Sequence, residues 1–167
     1  MHTKLLGALA AAALLTACAS EDTSGAATGA GAAGGAGASG FGAGAGAIRP
    51  GSQEDLVANV GDRVFFATDS SSVGADQRPT LERQAAWLAQ YPQAQIVVEG
   101  HADERGTREY NLALGQRRAN AARDVLVAQG VSSARVNVIS YGKDRPAALG
   151  SSEDAWAQNR RAVTVVR

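Results

Sequence analysis

The sequence predicts an α+β domain, a two-layer sandwich in which a small mixed four-stranded sheet carries helices on one face. Two observations predict it: short strand patterns alternate with helical patterns through residues 55–167, and one more strand pattern closes the chain. A third observation, an apolar leader followed by a Gly/Ala tract, places a signal peptide and a disordered linker before this domain. The order of the strands in the sheet stays open at this point.

The first 17 residues have the pattern of a secretory signal peptide. Lys4 supplies a positive charge, and residues 5–15 form an apolar run that is too short to span a bilayer as a helix. Small residues then lead to Cys18, which is the only cysteine of the chain. This order resembles the lipobox of bacterial lipoproteins, and the resemblance implies cleavage before Cys18 and lipidation of that residue. The alternative is an ordinary secretory signal with an unrelated cysteine.

The implied lipid anchor has a predicted destination. Several acyl chains hold a protein stably in a membrane, whereas a single chain gives only marginal binding. The residue after Cys18 is Ala19 and not Asp. By the sorting rule of bacterial lipoproteins, the resemblance therefore implies an outer-membrane protein that faces the periplasm.

Residues 18–54 are predicted to be the lipidated cysteine and a flexible linker. From residue 19 to residue 47 the chain is mainly Gly, Ala, Ser and Thr without hydrophobic periodicity, so it cannot bury enough apolar surface to offset the entropy of ordering. A flexible chain of this length has a root-mean-square span of roughly 30 Å. The folded domain can therefore lie well apart from the anchor.

Sequence patterns predict the strands and helices of the folded domain. Strand patterns cover residues 63–67, 95–99, 135–140 and 161–166, and helical patterns cover residues 77–90, 108 to about 129, and 153–158. Thr107 is expected to cap the second helix, and Gly130 to end it in the left-handed conformation. One stripe of that helix, at a spacing of three to four residues, is predicted to comprise Tyr110, Leu114, Arg117 or Arg118, Ala121 and Val125.

Composition and charge exclude several classes of function. The 16 basic and 16 acidic residues give a formal net charge of zero, which argues against a general nucleic-acid binder. His101 and Asp103 offer two metal ligands, whereas a hydrolytic zinc site needs three, and the other histidine, His2, lies in the leader. One histidine in the domain also provides little for a Ser–His–Asp arrangement. The sequence therefore predicts no metal, no cofactor and no catalysis.

Three segments resemble the OmpA-like peptidoglycan-binding domain family. They are EGHADERGTREYNLALGQRRANAARDVL at residues 99–126, VISYGKDRPA at 138–147 and NRRAVTVV at 159–166. The resemblance implies the fold of an OmpA-like C-terminal domain and non-covalent binding of peptidoglycan. HADERGT and ALGQRRA are closest to the lipid-anchored members. That closer resemblance implies a TolB-like periplasmic partner and a part in envelope constriction during division.

The ligand implied by the resemblance has a chemistry that two residue types can match. Peptidoglycan stem peptides often carry meso-diaminopimelate, which presents a carboxylate and an ammonium on one carbon. A guanidinium can grip the carboxylate bidentately, and a carboxylate can hold the ammonium. The resemblance assigns these roles to Arg118 and Asp103, and a loop that folds back over its own helix can bring them together.

Further residues are expected to line this pocket. The resemblance assigns lining roles to Arg105, Thr107, Phe66 and Asp69. In lipid-anchored members of the family the first strand usually ends in Phe-Asp-x-Asp, whereas this chain has Ala67 in place of the first Asp. Any side-chain contact of that Asp is absent, but a contact through backbone N–H groups can survive.

Other interpretations of these residues remain open. Asp103 by itself is compatible with an ordinary loop residue, and Arg118 with a surface charge, although its apolar-stripe position predicts burial against an anionic partner. Asn159 and Arg160 are expected to brace the pocket. Two other classes of function compete with the tether: a wall-modifying hydrolase that holds substrate in the same pocket, and an assembly module whose main ligand is a protein.

Overall fold

The computed structural model describes residues 48–167. The predicted signal peptide, Cys18 and the linker up to residue 47 lie outside the described residues. Within residues 48–167, no helix combines the length and the apolar character that crossing a bilayer requires.

The described chain contains four α-helices and four strands. In chain order they are α1 (Gln53–Asn59), β1 (Arg63–Phe65), α2 (Arg78–Gln90), β2 (Ile96–His101), α3 (Arg108–Ala128), β3 (Val136–Gly142), α4 (Glu153–Asn159) and β4 (Arg161–Val166), with a 3-10 turn at Ser133–Arg135. Every predicted strand and helix is present, with ends that shift by one or two residues.

The four strands form one mixed sheet in the order β1-β4-β2-β3. β4 pairs antiparallel with both β1 and β2, and β2 pairs parallel with β3. A parallel pair needs a crossover connection, and α3 is the crossover here. The structure thus confirms the predicted two-layer sandwich and supplies the strand order.

The core lies between the sheet and the helices that pack on one of its faces. Side chains alternate along a strand, so every second residue of each strand points toward the helices. Buried hydrophobic residues from all four strands and from α1, α2 and α3 meet there, among them Leu56, Val64, Phe66, Leu81, Leu88, Ile96, Val98, Ala119, Leu126, Val136 and Ala162.

Two glycines set how closely α3 approaches the sheet. A Cβ atom added to Gly100 of β2 would lie 1.9 Å from the carbonyl oxygen of Gly115 in α3. Backbone therefore lies directly on backbone at this crossing, and no larger residue fits. The close approach brings the middle of α3, including Arg118, under the end of β2.

The buried face of α3 differs from the predicted stripe. Leu114 and Arg118 are buried as expected, but Tyr110 is exposed, and Ala121 and Val125 are only half-buried. The buried residues are Asn111, Leu114, Gly115, Arg118, Ala119, Ala122 and Leu126. The prediction was wrong at Tyr110 because the helix buries small and polar positions where the sheet lies close, and these do not stand out by hydrophobicity.

Helix α1 has no counterpart in the sequence-based prediction. Ser52 caps it, and its Asp55 accepts a hydrogen bond of 3.0 Å from the indole N–H of Trp87. The predicted boundary between residues 54 and 55 falls inside this helix, so the ordered domain starts earlier. A seven-residue helix is too short to show a clear hydrophobic period.

The end of β2 lies further along the chain than predicted. The sequence pattern ends this strand at residue 99, but His101 is a buried strand residue that pairs with Gly142 across a register shift. β1 in turn ends at Phe65 and not at residue 67. These two strand ends position the loop that carries Asp103 and the turn at residues 67–70 next to each other.

Candidate functional site

Asp103 lies two residues beyond β2, and its side chain is nearly buried. Its Oδ1 accepts hydrogen bonds of 3.2 Å from both the backbone N–H and the Nε of Arg105, and its Oδ2 accepts one of 2.7 Å from Nη2 of the same residue. Burial by itself raises the pKa of the carboxyl, but the hydrogen bonds and charge of Arg105, with the charge of Arg160, hold the pKa below its usual value. The carboxylate is therefore ionised at neutral pH.

Arg118 reaches from α3 into the same region and has no exposed surface. Its guanidinium donates to three backbone carbonyl oxygens: that of Ser70 at 2.8 Å, that of His101 at 2.9 Å and that of Ala67 at 3.1 Å. Burial lowers the pKa of Arg118 to about 10, while the negative charge of Asp103 opposes that shift. The guanidinium is still charged at neutral pH.

The partners of Arg118 differ from the expected ones. The sequence predicts that a buried arginine pairs with an anion, whereas the structure pairs this one with carbonyl groups of the turn at residues 67–70 and of the last residue of β2. The expectation was wrong because a turn and a strand end expose carbonyl oxygens that no regular ladder satisfies, and a planar five-donor group can serve several at once. Arg118 thus joins the turn at residues 67–70 to the end of β2.

The turn at residues 67–70 has an unusual backbone. Asp69 adopts a positive φ of 51°, and it is the only residue other than glycine to do so within residues 48–167. Aspartate tolerates this left-handed conformation better than most residues. The Tyr110 hydroxyl donates to Oδ1 of Asp69 at 3.3 Å, so α3 supports the turn from a second side.

The turn presents backbone donors at the surface. Within the described part of the chain, the N–H groups of Thr68 and Asp69 donate to no protein acceptor. Both residues are exposed. Two adjacent N–H groups in a turn, with a buried guanidinium behind them, make a favourable environment for an anion.

The remaining predicted residues surround this centre. Phe66 is buried, and its ring lies 5.3 Å from Cζ of Arg118. Thr107 is the expected cap of α3, and its hydroxyl accepts from the backbone N–H of Tyr110 at 3.2 Å. The Nη2 of Arg105 also lies 3.4 Å from the Thr68 hydroxyl. The two loops thus meet through Arg105, which the resemblance singled out, and Thr68, which it did not.

Arg160 contributes more to the site than the sequence indicated. It is nearly buried, donates from Nε to the Phe66 carbonyl at 3.1 Å, and pairs with Glu153 at 2.7 Å. Its Nη1 lies 3.6 Å from Oδ2 of Asp103 and has no hydrogen-bond partner. The available signal was the Arg pair before the last strand, but nothing in the sequence said that this strand end faces Asp103.

Ala67 occupies the position at which the resemblance leads us to expect aspartate. Its carbonyl accepts from Arg118, so its backbone contributes to the site although its side chain cannot. A cavity of about 420 Å³ lies beside it, lined also by Phe65, Phe66 and residues of the following loop and of α4. Asp103 and Arg118 do not line this cavity, so the candidate site is the shallower surface between the two loops.

The comparisons with known proteins agree with this architecture. The OmpA family matches residues 65–160. The peptidoglycan-associated lipoprotein of Mesorhizobium japonicum is 65% identical over 123 residues, which cover 74% of this chain and 73% of the relative. The peptidoglycan-associated lipoprotein of Pseudomonas aeruginosa is 45% identical over 121 residues, covering 72% of this chain and 71% of the relative.

A solved structure shows the same fold. The crystal structure of the peptidoglycan-associated lipoprotein from Burkholderia pseudomallei has a TM-score of 0.64 and 43% sequence identity. It covers 68% of this chain and 100% of the solved chain, so the solved chain consists of this domain. The chain therefore belongs to the OmpA family and, within it, to the peptidoglycan-associated lipoproteins.

Proposed function

We propose that this protein is a non-enzymatic tether that holds the outer membrane to peptidoglycan. The names of its relatives and its lipobox support this general proposal, and the chemistry of the site supports a finer one. In the finer one, the folded domain binds the diaminopimelate head of a peptidoglycan stem peptide without a covalent bond, while lipid on Cys18 anchors the other end. The linker between them allows the two ends to reach different layers of the envelope.

The observation that carries the finer proposal is the charge arrangement at the site. Asp103 offers an ionised carboxylate for the ammonium of the ligand. The N–H groups of Thr68 and Asp69, which have no acceptor within the described chain, would donate to its carboxylate, with the positive charge of Arg118 nearby. Arg118 has no exposed surface, so it acts on the ligand by shaping the turn and through its field, and not by direct contact.

The test is a titration of residues 48–167 with a stem peptide that contains diaminopimelate, followed by calorimetry. The analogue with lysine in place of diaminopimelate lacks the side-chain carboxylate and should bind more weakly. Asp103→Asn removes the charge that holds the ammonium and should weaken binding by about tenfold to a hundredfold, since a hydrogen bond to a charged group contributes about 1.5–3 kcal/mol.

The matched control is Asp144→Asn. Asp144 also forms an ion pair with an arginine, Arg108, at 2.7 Å, but it lies outside the site. This variant should bind like the unmodified domain. If Asp103→Asn binds the diaminopimelate peptide as tightly as the control does, the proposed clamp is refuted.

We also propose a partner and a setting by resemblance. A TolB-like periplasmic protein would bind this domain as part of the Tol–Pal system, with a role in envelope integrity and cell division. An assembly module whose main ligand is such a protein would keep partner binding but would not sediment with isolated sacculi. Retention of the domain on sacculi, without clearing of the wall, separates the tether from both that module and a hydrolase.

A further inference from the structure

We propose that Arg105 occupies, in the free domain, the place on Asp103 that the ammonium of a ligand takes. Binding is then an exchange of one cation for another, and Arg105 sets the affinity and the charge selectivity of the site. This inference rests on the proposed function and concerns the regulation of the same site.

The acceptor capacity of Asp103 is almost used up by Arg105. A carboxylate has about four lone-pair positions. Three of them accept hydrogen bonds from Arg105, at 3.2, 3.2 and 2.7 Å. The next nearest donor is Nη1 of Arg160, 3.6 Å from Oδ2. An ammonium group therefore finds at most one free acceptor position on Asp103 unless a donor moves away.

Arg105 is the donor that is free to move. Its side chain is 40% exposed, whereas that of Arg160 is 8% exposed and tied to the Phe66 carbonyl. Arg118 is fully buried and holds three carbonyls. Only the guanidinium end of the pair is open to solvent, because the Asp103 side chain is 10% exposed. We therefore take about 1 kcal/mol for the pair, the upper end of the range for exposed ion pairs, which a ligand ammonium can offset when it replaces the Arg105 side chain.

The structure also provides a place for the displaced guanidinium. Cζ of Arg105 already lies 4.2 Å from the centre of the Trp156 ring. The indole N–H of Trp156 donates to Oε1 of Glu104 at 3.1 Å, which helps to orient the ring. A cation over an indole face is stabilised even at an exposed site. Arg105 can therefore release Asp103 and remain on Trp156.

The exchange of cations on Asp103 has two measurable consequences, one for the charge of the ligand and one for the salt dependence of binding. Only a positively charged group gains enough from Asp103 to displace a guanidinium, so a neutral analogue of the ammonium is rejected. Because one ion pair replaces another, the affinity should depend only weakly on salt. Without Arg105, ligand binding forms a new ion pair with Asp103 instead of exchanging one. Salt screens that new pair, so the affinity should then fall as the salt concentration rises.

The experiment compares Arg105→Gln, Arg105→Lys and Arg108→Gln in the domain of residues 48–167, titrated with the diaminopimelate stem peptide at low and high salt. Arg105→Gln should bind about threefold to fivefold more tightly at low salt, the equivalent of losing one exposed ion pair. Its affinity should also fall more steeply with salt. Arg105→Lys keeps a competing cation and should stay close to the unmodified domain.

Arg108→Gln is the matched control, because it breaks another arginine–aspartate pair of the same 2.7 Å length, which lies outside the site and is more exposed to solvent. It should change neither the affinity nor the salt dependence. Weaker or unchanged binding by Arg105→Gln overturns the inference, provided that its melting temperature shows a folded domain. The Asp103→Asn variant in the same series separates the two claims: if its binding is lost while Arg105→Gln is not tighter, the clamp stands and only the exchange is refuted.

Discussion

Replacement of Arg118 by methionine tests whether this residue organises the site from within. Methionine has a similar length and no donors, so three backbone carbonyl groups lose their partner. Hydrogen bonds from a charged donor contribute about 2 kcal/mol each, or roughly 6 kcal/mol together. Burial of the charge opposes this gain, because it lowers the pKa of Arg118 from its ordinary value to about 10.

The cost of burying the charge of Arg118, which methionine does not carry, reduces the expected loss of unfolding free energy. A shift of that size corresponds to at most roughly 3 kcal/mol, and to about 2 kcal/mol once screening by solvent is allowed for. Arg118→Met should therefore lower the free energy of unfolding by about 3–4 kcal/mol, a large share of the stability of an ordinary domain. Binding of the stem peptide should fall as well, because the turn at residues 67–70 loses two of its anchors.

Urea unfolding followed by tryptophan fluorescence measures this loss, since Trp87 and Trp156 both lie in the domain. The control is Arg117→Met, the exposed neighbour on the same helix, which should change the free energy of unfolding by less than about 0.5 kcal/mol. If Arg118→Met unfolds within 1 kcal/mol of this control, the three hydrogen bonds do not hold the loops together and the reasoning fails.

Two further predictions concern acid stability and the anchor. Burial, helped by the charge of Arg161, lowers the pKa of His101 to about 4, so between pH 6.5 and pH 4 the unfolded chain binds a proton that the folded chain does not. Acidification from pH 6.5 to pH 4 should lower the free energy of unfolding, measured by urea titration, by on the order of 1–2 kcal/mol once screening by solvent is allowed for. His101→Gln should lack this part of the loss. If the free energies of unfolding of the two proteins fall in parallel with pH, the prediction is wrong. Cys18→Ser removes the proposed lipid site, so the protein should move from the outer-membrane fraction to the soluble periplasmic fraction, whereas Ser20→Ala should leave it in the membrane; a membrane-bound Cys18→Ser protein would exclude this anchor.

Most secondary structure could be predicted because its signals are local. A capping threonine followed by a long helical pattern and a glycine stop defines α3 from Thr107 to Gly130, and the structure confirms both ends. Period and caps act over a few residues, so they can be recognised without tertiary information. The short α1 and the exposed Tyr110 were missed or misplaced because their environment depends on what packs against them.

The candidate site was only partly predictable. The resemblance named Asp103, Arg118 and Phe66, and the structure brings all three to one region, although whether they bind a ligand stays a prediction. The sequence did not predict which groups these residues contact: Asp103 pairs with Arg105, and Arg118 pairs with carbonyl groups. The chain has many arginines and carbonyl groups that could form the same hydrogen bonds. Which of them pair depends on which groups the fold brings within hydrogen-bond distance, and the sequence does not show this.

The α+β class, the predicted lipid-anchor signal and linker, and the charged residues near the predicted site can all be inferred from the amino-acid sequence. Period, composition and local motifs encode these properties, because each depends on neighbours along the chain. The strand order, the direct contact of α3 with β2 at Gly100 and Gly115, and the burial of Arg118 beneath the turn at residues 67–70 became known from the folded structure. Those features depend on residues far apart in sequence, which meet only when the helices close over the sheet.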